Sequence, residues 1–148
     1  MRNSKLKIQN LFLTFCIFHF TLFVSCKIPV LEKPECQQAR QTVKKFYSYH
    51  FGNDMKFSPE NLREREKYLT ADFTQRLQSS PPGNDVFTTN STDYPKAFRI
   101  GGCEVFAPDK TVLEVLLFWK DDTKSEQRAI NVEVVKQADA WLIDQINY

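Results

Sequence analysis

The ten residues TVLEVLLFWK at positions 111–120 decide how this chain is read, because branched and aromatic side chains fill most of its places. Such a run suits a β-strand buried on both faces. A period of two continues on either side of it. Upstream, Phe98, Ile100, Cys103 and Val105 alternate, provided that Gly101-Gly102 forms a bulge. Downstream, Asp121 to Ser125 reads as a turn, and Arg128 to Lys136 as a strand with Ile130, Val132 and Val134 on one face. Gln137 to Ala140 is a second turn, and Trp141 to Tyr148 a last strand. The prediction is a four-stranded antiparallel meander.

Before Phe98 the period is helical. Cys36, Ala39, Val43, Phe46, Tyr47 and His50 recur at three- and four-residue steps, which predicts a helix over Pro34–His50 with one buried stripe. Gly52-Asn53-Asp54 stops it. Ser58-Pro59-Glu60 offers an N-cap, a proline in the first turn and an acid at the positive helix end, and so opens a second helix that runs to about Leu69. Within it the mixed-charge run Asn61 to Lys67 reads as a solvated face. Thr70 caps a short third helix carrying Phe73 and Leu77, ended by Pro81-Pro82-Gly83. From there to Lys96 lies a polar loop without a clear period, of the kind that either binds or moves. Three helices followed by a four-stranded sheet make the fold class α+β.

The element order and the residues Phe46-Tyr47, Tyr68-Leu69-Thr70, Phe73, Leu77, Asp93-Tyr94-Pro95, Phe98, Gly101 and Trp141-Leu142-Ile143-Asp144 carry a likeness. Over about residues 36–148 the chain resembles exported bacterial proteins of unknown function in the nuclear transport factor 2-like, cystatin-like superfamily. The resemblance implies a strongly curved sheet wrapped on the long first helix, a cone whose wide end holds a cavity. It also implies a homodimer through the open sheet face. Enzymes, ligand carriers and assembly modules share such a fold, so it does not by itself name an activity.

The first 25 residues have a different character. Arg2, Lys5 and Lys7 precede an almost wholly apolar stretch from Leu11 to Val24, the order of a signal peptide. That stretch covers roughly 21 Å as a helix, short of the roughly 30 Å of a bilayer's hydrocarbon core. It ends in Leu22-Phe23-Val24-Ser25-Cys26, which resembles a lipobox and predicts a lipid on Cys26, with plain secretion and an uncleaved anchor as the alternatives. Residues 26–33 are then a tether and 34–148 the domain. Of the 20 Lys and Arg, 3 leave with the leader and none of the 18 Asp and Glu does, so the remainder is 17 against 18. A near-neutral mixture gives no field for nucleic acid. Cys16 goes with the leader. The two left over in an exported domain, Cys36 and Cys103, predict a disulfide, the alternative being a reactive or metal-binding pair.

Candidate sites are few. His50 is the one histidine outside the leader, with Asp54 near in sequence and Tyr47 beside it; the superfamily resemblance makes the three an acid–base set, and the simpler reading places His50 against the negative end of its helix. Tyr68, Tyr94, Trp119 and Trp141 are expected either to line an apolar ligand pocket or to pack as core. Asp121-Asp122 supplies too few oxygens for calcium, and Asn90-Ser91-Thr92 fits a glycosylation pattern that is weak beside a lipobox-like leader, which points to bacteria. No metal, cofactor or nucleic-acid partner is expected. The leading expectation is a lipid-anchored, membrane-tethered binding or scaffolding domain without catalysis that meets an unidentified protein or small molecule. A cavity enzyme or ligand carrier, and a surface-binding inhibitor, are the alternatives.

Overall fold

The computed structural model describes residues 32–120 and 125–148. The leader, Cys26, most of the tether and Asp121-Asp122 lie outside them. Helix α1 spans Pro34–Phe51, α2 Pro59–Arg63 and α3 Ala71–Leu77, with a short 3-10 turn at Glu66–Tyr68. Strands β1 (Ala97–Ala107), β2 (Lys110–Lys120), β3 (Ser125–Gln137) and β4 (Ala140–Asn147) follow, paired antiparallel in the order β1-β2-β3-β4. The α+β class and the strand order are those the alternation predicts.

Helix α1 lies across the sheet and touches every strand. Its predicted stripe, Cys36, Ala39, Val43, Phe46, Tyr47 and His50, is the buried one. It meets Leu113, Val115, Leu117 and Trp119 of β2, Ile130, Val132 and Val134 of β3, and Trp141 and Ile143 of β4. The second face of β2 is only partly covered: Val112, Glu114 and Phe118 are half-buried there, so the run at 111–120 is buried fully on one face and not on both.

Three register shifts bend the sheet. Ile100 pairs with Val115 and Cys103 with Leu113, so β1 carries one residue more than β2 at Gly101-Gly102. This is the predicted bulge, and such insertions raise local twist. A Cβ at Gly101 would meet the Glu114 carboxylate, the far end of a flexible side chain that would have to swing aside. The Gly101 carbonyl accepts from Arg40 Nη1 of α1 at 2.8 Å, while the same guanidinium pairs with Glu32. A further shift at Glu133/Val134 changes the phase of β4, which is why Trp141, Ile143 and then Ile146 all face inward.

The second helix departs from the sequence reading. It stops at Arg63 instead of reaching Leu69, since at Arg65 (φ −100°) the chain turns and sends that side chain into the interior. Leu69 is then extended and bridges Ile143, whose carbonyl takes the Thr70 amide at 2.9 Å. Thr70 caps α3 as expected: its hydroxyl oxygen accepts from the Phe73 amide at 3.1 Å and donates to Asp144 at 2.7 Å. The loop before β1 also differs. It buries Asp85, Val86, Phe87, Thr88 and Pro95, and the pairing Asp85↔Ser91 closes it over the end of α1.

Cys36 and Cys103 form a disulfide with Cα atoms 5.9 Å apart, joining the first turn of α1 to β1 across 67 residues. On the chain-entropy account, closing such a loop contributes about 4 kcal/mol. Replacing both cysteines by alanine is expected to lower the unfolding free energy in urea by about that amount, and reduction of the wild type should lower it equally. A double variant as stable as the oxidised protein would refute the assignment.

Candidate functional site

His50 is completely buried, and its ring joins two charged side chains that the sequence keeps far apart. Arg65 Nε donates to His50 Nδ1 at 2.9 Å. A guanidinium nitrogen only donates, so Nδ1 holds a lone pair and the ring proton sits on Nε2. Nε2 in turn faces both carboxylate oxygens of Asp85 at 3.0 Å. The imidazole is therefore a neutral bridge between a buried cation and a buried anion. Its partner is Asp85, and not Asp54 as proximity in sequence suggests. Asp54 is exposed and contributes its backbone carbonyl, which accepts from Arg65 Nη2 at 2.8 Å.

The cluster makes further hydrogen bonds to the chain around it. Arg65 Nη1 donates to the Asn61 carbonyl at 2.7 Å. Asp85 accepts from the Phe87 amide at 2.9 Å and from the Thr88 hydroxyl at 2.7 Å. Phe46 stacks on the His50 ring, and Phe87 meets it edge-on. Burial pulls the Arg65 pKa below its ordinary value, with Tyr49, Asp85, Asp54 and Glu64 acting in the opposite sense. Tyr47, one turn before His50, donates its hydroxyl to the Phe87 carbonyl at 2.8 Å. Burial, then the nearby Asp85 and Tyr148, hold its pKa well above the usual tyrosine range.

This arrangement clasps three segments, α1, the turn after α2 and the loop before β1. For chemistry it is closed. His50, Tyr47 and Asp85 are each fully buried and hydrogen-bonded to other parts of the chain. His50 stands in the last turn of α1, where the simpler reading places it, and its ring is held there by Arg65 and Asp85.

The four aromatic candidates do not converge on one pocket. Tyr68 and Trp141 line a groove of about 450 Å³ beside α1, and Trp141 Nε1 donates to Gln38 at 2.9 Å. Trp119 lines another of about 410 Å³ with Phe118, and its Nε1 donates to the Asp93 carbonyl at 3.0 Å. Tyr94 donates its hydroxyl to the Gly83 carbonyl at 2.9 Å. Glu32 stands near both sulfurs of the disulfide, but these are bonded to each other and Glu32 pairs with Arg40, so the three do not offer a metal a thiolate.

No family model matches the chain, and no curated protein does. Two of the solved structures to which the chain is similar are these, both at low identity. One is an NTF2-like protein involved in plasmid conjugation, 11% identical over 78% of this chain with a TM-score of 0.48; the chain spans 40% of that protein's length. The other is a protein of unknown function from Bacteroides thetaiotaomicron, 16% identical over 76% of this chain and 90% of that one, with a TM-score of 0.49.

Two outcomes test the clasp. Asp85→Ala leaves Arg65 buried without its counter-ion and is expected to cost about 3–5 kcal/mol in urea unfolding, whereas Asp54→Asn should stay within about 0.5 kcal/mol. Equal effects would contradict the pairing. For Tyr47, a folded-state pKa above the unfolded value of 10.0 means that the folded chain keeps a proton the unfolded chain releases. That stability is fully present below pH 10.0 and is lost as pH rises toward the folded value. Tyr148 is shifted the same way, chiefly by burial. Unfolding midpoints should fall as pH rises from about 10 to about 11, less steeply in Tyr47→Phe; a flat profile over that interval would contradict the burial.

Proposed function

We infer that the chain is an exported, lipid-tethered, non-catalytic binding or scaffolding domain, a curved helix-on-sheet cone held near a membrane by an acyl group on Cys26. The observation that carries this reading is the Cys36–Cys103 disulfide, a bond that persists in oxidising compartments. A charged and then apolar leader ending at Cys26 agrees with it. The interior supports a binding role over a catalytic one, since His50 and Tyr47 are spent on internal hydrogen bonds. A partner is met on the outer surface.

From Cys26 to Glu32 the chain extends at most about 20 Å, so the domain works close to the lipid surface. The homodimer belongs to the same reading: Val112 and Phe118, on the face of β2 turned away from α1, are only half-buried and leave some apolar area for a second copy.

Growing the native host with an alkyne fatty acid is expected to label the protein in the membrane fraction, and Cys26→Ser to abolish the label and release the protein. An unlabelled wild type found free of membranes would overturn the tether.

A further inference from the structure

The two sulfurs of the Cys36–Cys103 bond stand in unequal surroundings. Cys36 faces the core from the first turn of α1 and is 2% exposed, so an external reagent finds no surface there. Cys103 lies on β1, an outer strand of the sheet, and is only partly buried. Gly102 beside it is exposed, with open space where a side chain would stand. A nucleophile that approaches this bond from solvent therefore meets Cys103.

They also differ as leaving groups. Cys36 is the third residue of α1, within the turn whose main-chain N–H groups point out of a helix, and Lys33 at the N-cap puts no side-chain hydrogen bond on them. Such a position favours a thiolate and lowers its pKa, and a thiol of lower pKa leaves faster. A strand offers Cys103 only a small dipole. Glu35 in the same turn and Glu32 act in the opposite sense, Glu32 being held by the Arg40 guanidinium.

A second tie runs beside the covalent one. Arg40, one turn along α1 from Cys36, donates to the Gly101 carbonyl at 2.8 Å, two residues before Cys103, and grips Glu32 with the same guanidinium. The Glu32 carboxylate lies within 4.8 Å of both sulfurs. The strap Glu32–Arg40–Gly101 thus joins the segments that the disulfide joins, without using either sulfur.

We propose that Cys103 is the site of thiol exchange in the folded protein, with Cys36 as the leaving thiolate and the Arg40 strap as the device that closes the bond again. An external thiolate forms a bond to Cys103 Sγ, the Cys36–Cys103 bond breaks, and its electron pair leaves on Cys36 Sγ, which then takes a proton from water. The external thiol is oxidised into the mixed disulfide and Cys36 is reduced. In the reverse step the Cys36 thiolate attacks Cys103 Sγ and expels the external thiolate. The strap keeps the two sulfurs opposed while the bond is open, so the reverse step is fast. This goes beyond the tethered-domain reading and needs only the disulfide.

The test mixes the full processed chain, in detergent micelles and without denaturant, with reduced glutathione for short times, quenches with excess N-ethylmaleimide and maps both cysteines by peptide mass spectrometry. Glutathione on Cys103 with maleimide on Cys36 is expected at least tenfold over the reverse. Cys36→Ser, given oxidised glutathione, should take one glutathione on Cys103, and Cys103→Ser should react at least tenfold more slowly on Cys36; where either variant lacks a cooperative urea transition, the wild-type mapping decides. Arg40→Ala should keep the preference for Cys103 and slow closure of the reduced bond at least threefold. Adducts shared equally or mainly on Cys36, or opening of the bond no faster than global unfolding, would overturn the exchange site. Closure at an unchanged rate in Arg40→Ala would overturn the role of the strap. An acyl label on Cys26 is indifferent to all these outcomes, so failure here and failure of the tether are distinguishable.

Discussion

The fold depends on one hydrogen-bonded line, Arg65 to His50 to Asp85, running through the interior where three segments meet. Two full charges placed in a poorly polarisable medium cost several kcal/mol apiece unless the geometry around them is nearly complete. Here it is. The guanidinium reaches two carbonyls besides the ring, and the carboxylate gathers an amide and a hydroxyl besides the ring. A neutral imidazole between them lengthens the pair without adding charge, so the carboxylate can stand in the loop and the cation beside α2 with one helix separating them. Replacing His50 by an apolar residue takes a partner from both Arg65 and Asp85, so the cluster specifies one arrangement of these segments.

That dependence explains which parts of the structure can be read from the sequence. Wherever a side chain's place follows from its neighbours along the chain, as in the stripe Cys36, Ala39, Val43, Phe46, Tyr47, or in Ile130, Val132 and Val134, periodicity locates it. The caps at Ser58 and Thr70 and the bulge at Gly101-Gly102 are equally local. Arg65 is different. Within Arg-Glu-Arg-Glu-Lys nothing marks one cation as the buried one, because the marker is a histidine 15 residues earlier and an aspartate 20 later. For the same reason Asp54, near in sequence, looks like the partner of His50 while Asp85, hidden in a run of prolines, glycine and polar residues, does not.

The candidate site follows the same rule in reverse. His50 and Tyr47 attract notice because a lone histidine beside a tyrosine is a common catalytic pairing, and their type is legible; their burial is not. Phe57, Leu62 and Leu69 are core residues, as their type suggests, whereas the early end of α2 and the 3-10 turn at Glu66–Tyr68 are marked by no residue nearby.

The covalent link between Cys36 and Cys103 makes a closed ring of everything from the start of α1 to the middle of β1. Helices α1, α2 and α3 and the loop that carries Asp85 belong to that ring, while β2, β3 and β4 hang outside it. A pull applied from the amino-terminal side therefore enters at the first turn of α1 and crosses the sulfurs straight into the sheet, bypassing the ring's contents. A single proteolytic nick anywhere within the ring likewise leaves one molecule, whose pieces separate only under a reductant.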